Sequence, residues 1–191
     1  MNGVSPIISI ATRLSWLLSN SWGGVKVKYL YYLRCYSYYK RRGGVIGRMQ
    51  SWYYGRKFRT LGMRLGFSIG EDVFGYGLVL PHYGTIVVGG TNRVGNFATL
   101  HTCTCIADEK SQIGDAFDFA TGSIISKHVS IGDNVSACAN SCITTDVATD
   151  SLVAGSPAKV VRSGYLPWYI RDGETFNKRV EIIKSIKDSH F

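Results

Sequence analysis

The chain has 191 residues, 45% of them hydrophobic and 18% charged, with a formal net charge of +9. That length allows one domain plus an appendage, and the composition is that of a folded protein rather than a disordered chain. The charge is uneven: residues 1–66 hold twelve Lys or Arg and no acid, whereas residues 67–191 hold ten against thirteen Asp or Glu.

Residues 6–19 (PIISIATRLSWLLS) are apolar but interrupted by Arg13. The stretch is shorter than the ~18–20 uncharged residues of a spanning helix. No basic residue precedes it, so it does not read as a secretory signal. A buried or interfacial helix is expected. Residues 25–42 then mix Tyr29, Tyr31, Tyr32, Tyr36, Tyr38 and Tyr39 with Lys and Arg, and Trp52, Tyr53 and Tyr54 precede Arg56, Lys57 and Arg59. Aromatics among cations suit an anionic membrane surface, where Trp and Tyr sit at the headgroups. They also suit a polyanionic glycan or a lipid-linked sugar, or a helical cap with a solvated basic face. No nucleic-acid-binding motif is present, and nucleic acid is not expected as a partner.

Residues 74–89 (FGYGLVLPHYGTIVVG) form an irregular lead-in, broken by Gly75, Gly77, Pro81 and Gly84. His82 lies in it. Irregular segments on a rigid scaffold concentrate functional residues. An imidazole can take the proton of a hydroxyl as it attacks a carbonyl.

From Val88 onward an aliphatic or small residue returns every six positions: Val88, Val94, Leu100, Ile106, then Ile113, Phe119, Ile125, Ile131, Ala137, Ile143. A second inward set follows four places later: Ala98, Thr104, Phe117, Ser123, Val129, Val135, Ser141, Val147. Helices repeat at 3.6 and strands at 2, so a period of six predicts short strands joined by tight corners, a hexapeptide-repeat parallel β-helix. Each coil of such a solenoid covers its neighbour. Cys35, Cys103, Cys105, Cys138 and Cys142 include no Cys-x-x-Cys pair, which excludes a zinc ribbon or thioredoxin-like motif. They read as small apolar fillers at coil positions, in a reducing compartment. After the repeat, Phe176, Val180, Ile183 and Ile186 follow helical spacing, a stripe expected to pack on the core.

Several segments resemble the serine acetyltransferase-like branch of the hexapeptide acyltransferases, and especially the acetyltransferases of capsule and colanic-acid clusters. They are Phe74-Gly-x-Gly-Leu-x-Leu-x-His82, Ile86-Val-Val-Gly89, Leu100-His101-Thr102 (where the polysaccharide branch has Ile-His-Gln), and Val153-Ala-Gly-Ser-Pro-Ala-Lys-Val-Val161. The likeness covers about residues 67–162. It implies an all-β core, a left-handed parallel β-helix, with an N-terminal α-helical region at 1–66 and a C-terminal extension with a helix at 163–191. It also implies a homotrimer with active sites between neighbouring prisms, acetyl-CoA as co-substrate with no bound cofactor, and His82 as general base. Carried over by position, CoA contacts fall on Ala107, Asp108, Thr121, Ala139 and Lys159. His101 becomes a residue of the acceptor or CoA cleft.

Two departures bear on the acceptor. Serine acetyltransferases pair the base with the Asp of a Val-Asp-Ile-His-Pro segment, and the alignment puts Phe67 at that Asp. They also carry a second His in a longer loop, where this chain has only ADEKSQ at 107–112. Glu71, Asp72 or a main-chain carbonyl is left to orient His82. A glycan hydroxyl or its lipid-linked precursor is therefore expected as acceptor. The alternatives are serine or another small molecule, and a non-catalytic trimeric scaffold in a polysaccharide-synthesis complex. A cytoplasmic location is expected, with peripheral contact at the inner membrane face through residues 1–66. The γ-class carbonic anhydrases share the repeat and bind metal with a His-x-x-x-x-His pair. His82, His101 and His128 lie 19 and 27 residues apart, so no metal site is expected.

Overall fold

A computed structural model describes residues 22–171 together with 173, 174, 177, 178, 180, 181, 184 and 185. The apolar stretch at 6–19, His190, and Phe176, Ile183 and Ile186 of the C-terminal stripe lie outside the described residues. The chain divides into two compact units, Met1–Arg64 and Leu65–Phe191.

In the first unit, α1 (Trp22–Arg42) and α2 (Gly44–Leu65) are joined at Gly43. Gly43 and Gly44 have φ of 65° and 67°, a backbone that side chains with a Cβ rarely adopt. α1 buries Tyr29, Leu33 and Tyr36, one helical face. α2 buries Gly47, Gly55, Phe58 and Gly62. Glycine matters at position 55, where a Cβ would stand 2.9 Å from the Tyr36 ring. The close approach lets Phe58 meet the rings of Tyr29 and Tyr36 at 5.1 and 6.0 Å. Arg59 donates to the Tyr36 hydroxyl at 3.0 Å.

The second unit begins at β1 (Phe67–Ile69) and runs through β2 (Ile86–Val88), β3 (Arg93–Val94), β4 (Thr99–Leu100), β5 (Thr104–Ile106), β6 (Gln112–Ile113), β7 (Asp118–Phe119), β8 (Ile124–Ile125), β9 (Ser130–Ile131), β10 (Ser136–Ala137), β11 (Cys142–Ile143), β12 (Ser151–Gly155) and β13 (Ala158–Ser163) to the short helix α3 (Trp168–Arg171). The strands form three sheets, ordered β1-β2-β5-β8-β11, β3-β6-β9 and β13-β12-β10-β7-β4. The chain visits the sheets in rotation, so it winds as a parallel β-helix of about five coils. Among the described strands only the last pair, β12 with β13, is antiparallel.

The expected inward residues are the core. Val88, Ile106, Ile125 and Ile143 stack in one column, spaced 18, 19 and 18 residues apart. All are buried, as are Val94, Leu100, Ile113, Phe119, Ile131 and Ala137 and the second set from Ala98 to Val147. The one-residue slip of the pattern is an extra residue in the corner at 107–111, where Lys110 adopts a φ of 60°.

Polar rungs brace two of the three edges from inside. Asn92 is fully buried and donates to the carbonyls of Ala107 at 2.8 Å and Gly89 at 3.1 Å, while Ser111 N donates to its Oδ1 at 2.9 Å. Ser111 Oγ continues the ladder to Lys127 O at 3.1 Å. On another edge Ser123 and Ser141 both donate to Cys138 O, at 2.8 and 2.6 Å.

The cysteines do not fill the core. Cys105 and Cys142 face outward from β5 and β11, Cys103 is exposed, and none is buried. The inward places of these strands go to Thr104, Ile106 and Ile143 instead. At the C-terminus, Trp168, Tyr169 and Val180 pack with Phe97 and Ala116. Trp168 Nε1 donates to Phe97 O at 2.7 Å. Arg171 bonds to Asp118 and Ser136, both at 2.9 Å, and to Tyr165 OH at 3.0 Å. Among the described residues no helix is long and apolar enough to cross a membrane.

Asn92→Ala leaves Ser111 N without its acceptor and removes one bond from each of Ala107 O and Gly89 O, which keep Glu109 N and the residue 92 N–H. A loss of about 2 kcal/mol is expected from the cost of an unmade buried hydrogen bond. Urea unfolding measures it, with the exposed Ser130→Ala as a control that should stay within about 0.5 kcal/mol of the parent.

Candidate functional site

The corners between the β4-containing sheet and the β1-containing sheet lie at 81–85, 101–103, 120–123 and 138–141, one above another. This edge collects most of the expected site residues. His82 is exposed and His101 half-buried, and their ring centroids are 6.5 Å apart at an interplanar angle of 43°. Thr121 and Ala139 are exposed turn residues on the next two corners, and Asn140 N bonds to Thr121 O at 2.9 Å. β12 runs past the register of Cys138 toward the same edge, and its Ala154 pairs with the exposed Lys159 on β13. The hairpin turns through a cis Ser156–Pro157 bond.

The two histidines are held differently. The His101 corner is fixed from both sides: its N–H donates to Phe119 O at 3.0 Å, and its carbonyl accepts from Thr104 Oγ1 at 2.8 Å. The His82 loop is longer and is fastened at its far end, where Gly84 N donates to Leu65 O at 2.8 Å. Gly84 has a φ of 133°, and a Cβ on the facing Gly66 would stand 2.8 Å from Gly84 itself. Neither His82 nitrogen meets a hydrogen-bond partner among the described residues, which leaves the ring open to an acceptor hydroxyl.

Glu71 and Asp72 cannot serve as the orienting acid within one chain. They occupy the turn after β1, on the edge that Asn92 braces, not on the His82 edge. Phe67 and Ile69 are buried and Ser68 between them is exposed, so the Phe67 position faces the core and no residue of β1 is an acid.

Ala107 and Asp108 lie on the other edge flanking the β1-containing sheet. Ala107 N is used in the ladder to Ile125 O at 2.9 Å. Asp108 Oδ1 accepts from Thr91 N at 2.7 Å and Thr91 Oγ1 at 2.6 Å. These two bonds hold its carboxyl below the usual carboxylate pKa. Its carboxylate therefore fastens one coil to the next. His128, also on this edge, places Nδ1 3.0 Å from Glu109 O. The three central histidines thus do not converge, and among the described residues no three metal-ligating side chains cluster.

The sequence puts His101 in the cleft of the His82 site without showing that the two rings adjoin. The signal for it is the spacing: 19 residues is one coil, so equal corner positions in successive coils become neighbours.

No family model matches the chain. It is 31% identical over 125 residues to serine acetyltransferase 2 of Arabidopsis thaliana, covering 58% of this chain and 39% of that one. It is 30% identical over 155 residues to serine acetyltransferase of Staphylococcus epidermidis, covering 78% of this chain and 68% of that one. A solved serine acetyltransferase in complex with CoA superimposes with a TM-score of 0.59 at 19% identity, over 77% of this chain and 60% of that one. The chain thus spans about two fifths of the Arabidopsis relative's length.

A carboxyl depressed in the folded state stabilises fully above its unfolded pKa and loses that contribution as pH falls through its folded value. Asp108→Asn is expected to be less stable than the parent at neutral pH and to converge on it as pH falls below the ordinary value of 3.8, which flattens the acid limb of the profile. Thermal unfolding across a pH series measures this.

Proposed function

The chain belongs to the serine acetyltransferase family of hexapeptide-repeat acyltransferases, and from that premise we propose that it transfers acetyl from acetyl-CoA to a hydroxyl, with His82 as general base. The carrying observation is the open imidazole of His82 beside His101, on the edge that also presents Thr121 and Ala139. His82 removes the hydroxyl proton as the oxygen attacks the thioester carbonyl. The C–O bond forms, the C–S bond breaks, and CoA thiolate leaves, taking the proton back from the imidazolium. A main-chain amide stabilises the oxyanion. No acyl-enzyme is required.

Serine is the acceptor that the matched relatives' name supports. A glycan hydroxyl is the second reading. It rests on the missing acid at Phe67 or Ser68, the short corner at 107–111 without a second His, and the presence of His101 in the cleft. The capsule and colanic-acid likeness has no counterpart among the relatives named above, so it rests on those residues alone.

CoA contacts belong to Thr121, Ala139 and Lys159 on the His82 edge and to the main chain at Ala107 and Asp108 on the other. A homotrimer is part of this reading. Its support is the outward stripe of Val87, Cys105, Ile124 and Cys142, which runs between those two edges and leaves Val87 and Ile124 exposed. The five unpaired cysteines fit a cytoplasmic setting, and residues 1–66 supply the contact with the membrane's inner face.

His82→Ala is expected to lower kcat by about 10²–10⁴-fold, the usual worth of a general base, while CoA still binds in calorimetry. Unchanged turnover in this variant rejects the mechanism. A parent protein that binds no CoA is instead a scaffold.

Thiol release from acetyl-CoA with serine as sole acceptor decides between the two acceptors. Sustained release is the expected result for serine. CoA binding without serine-dependent release excludes serine, and release on adding a sugar acceptor then assigns the site to a glycan hydroxyl.

A further inference from the structure

We propose that the tip of the helical hairpin, at the α1–α2 turn, docks the protein onto an anionic lipid bilayer through an apolar face of α2 ringed by cations. The proposal stands independently of the acetyl-transfer chemistry.

The face is a continuous helical stripe. Val45, Ile46, Met49, Trp52 and Tyr53 fall at successive one-turn intervals on α2, opposite the buried Gly47, Gly55, Phe58 and Gly62. Val45, Ile46, Met49 and Trp52 are each 67–69% exposed. Arg48, Met49, Trp52 and Tyr53 line a shallow depression on this surface. Single exposed hydrophobes need no explanation, but an apolar patch of this kind marks an interaction site.

Charge identifies the occupant. Exposed Lys40, Arg41 and Arg42 end α1 directly before the turn, Arg48 flanks the stripe, and Arg56 and Lys57 follow it. Residues 22–64 hold eleven Lys or Arg and no Asp or Glu. A second copy would set cations against cations. A nucleic acid would match the charge but leave Val45, Ile46 and Met49 without a partner. An anionic bilayer satisfies both. Aliphatic side chains enter the acyl boundary, Trp52 and Tyr53 sit at headgroup depth, and the cations meet lipid phosphates. The Gly43–Gly44 turn adds no side chain to obstruct the approach.

The test uses the full chain, sedimented with vesicles of phosphatidylcholine alone or of phosphatidylcholine with phosphatidylglycerol. Binding to the mixed vesicles that weakens with salt is expected. Replacing Lys40, Arg41 and Arg42 by Gln should weaken it by on the order of a hundredfold, at about fivefold per cation near a charged surface. Val45→Ser, Met49→Ser and Trp52→Ser together should weaken it at least ~10-fold through lost apolar burial. Both variants change exposed residues and should keep the parent's unfolding midpoint and its rate of thiol release. Equal binding to phosphatidylcholine alone, or parent-like binding by both variants, overturns the proposal. It is also overturned if the apolar variant halves the particle mass in light scattering while its vesicle binding persists, which gives the face to a second copy. Binding to single-stranded oligonucleotides without binding to vesicles gives it to nucleic acid.

Discussion

The short strands of each coil pair with the strands of the coils on either side, and this governs everything else in the second unit. A strand of two residues cannot hold its own fold. It exists because the strand above and the strand below accept its register, as Ile106 does between Val88 and Ile125. The chain must therefore return to the same point after each circuit. Residues facing the axis are restricted to those that stack, whereas corner residues are restricted mainly in backbone. That explains why Asn92 and Ser111 are tolerated inside an edge. Asn92 accepts from Ser111 N and Ser111 donates to Lys127 O, each on the next coil.

The same constraint builds the site. Corners at equal positions in successive coils are neighbours whatever their sequence separation, so His82 and His101 meet without an element evolved to join them. The scaffold fixes His101 through both its N–H and its carbonyl. His82 lies on a longer loop fastened at Gly84. Under the proposed mechanism, an acceptor with several hydroxyls would orient that imidazole more fully than a small amino acid, which is the physical case for the glycan reading against the relatives' name.

Much of the fold was legible because the period is set by geometry. Inward residues from Val88 to Val147 are determined by burial, and the sequence shows them without any knowledge of the partner coil. The slip after Ile106 was legible for the same reason. Features decided by contact between distant segments were not. Trp168 reads as one more aromatic until its indole reaches Phe97 O, 71 residues away. The cysteines look like fillers because their size suits a core, yet at Cys105 and Cys142 alternation along the strand puts them outside. In β1 the alternation is plain, with Phe67 and Ile69 inward and Ser68 outward, and neither face carries an acid.

The helical unit obeys the opposite logic. Its contact face sets the glycines of α2 against the large side chains of α1, as Tyr36 over Gly55 shows directly. Tyr29, Leu33, Tyr36 and Phe58 fill the interface, so the hairpin already has its own apolar core. Val45, Ile46, Met49 and Trp52 lie outside that core, in the part of the chain that has no acidic residue to soften its charge. They add nothing to the packing between the helices and lower solubility. A stripe of this kind is explained by something outside the hairpin that covers it, and the cations around it restrict that something to a surface of opposite charge.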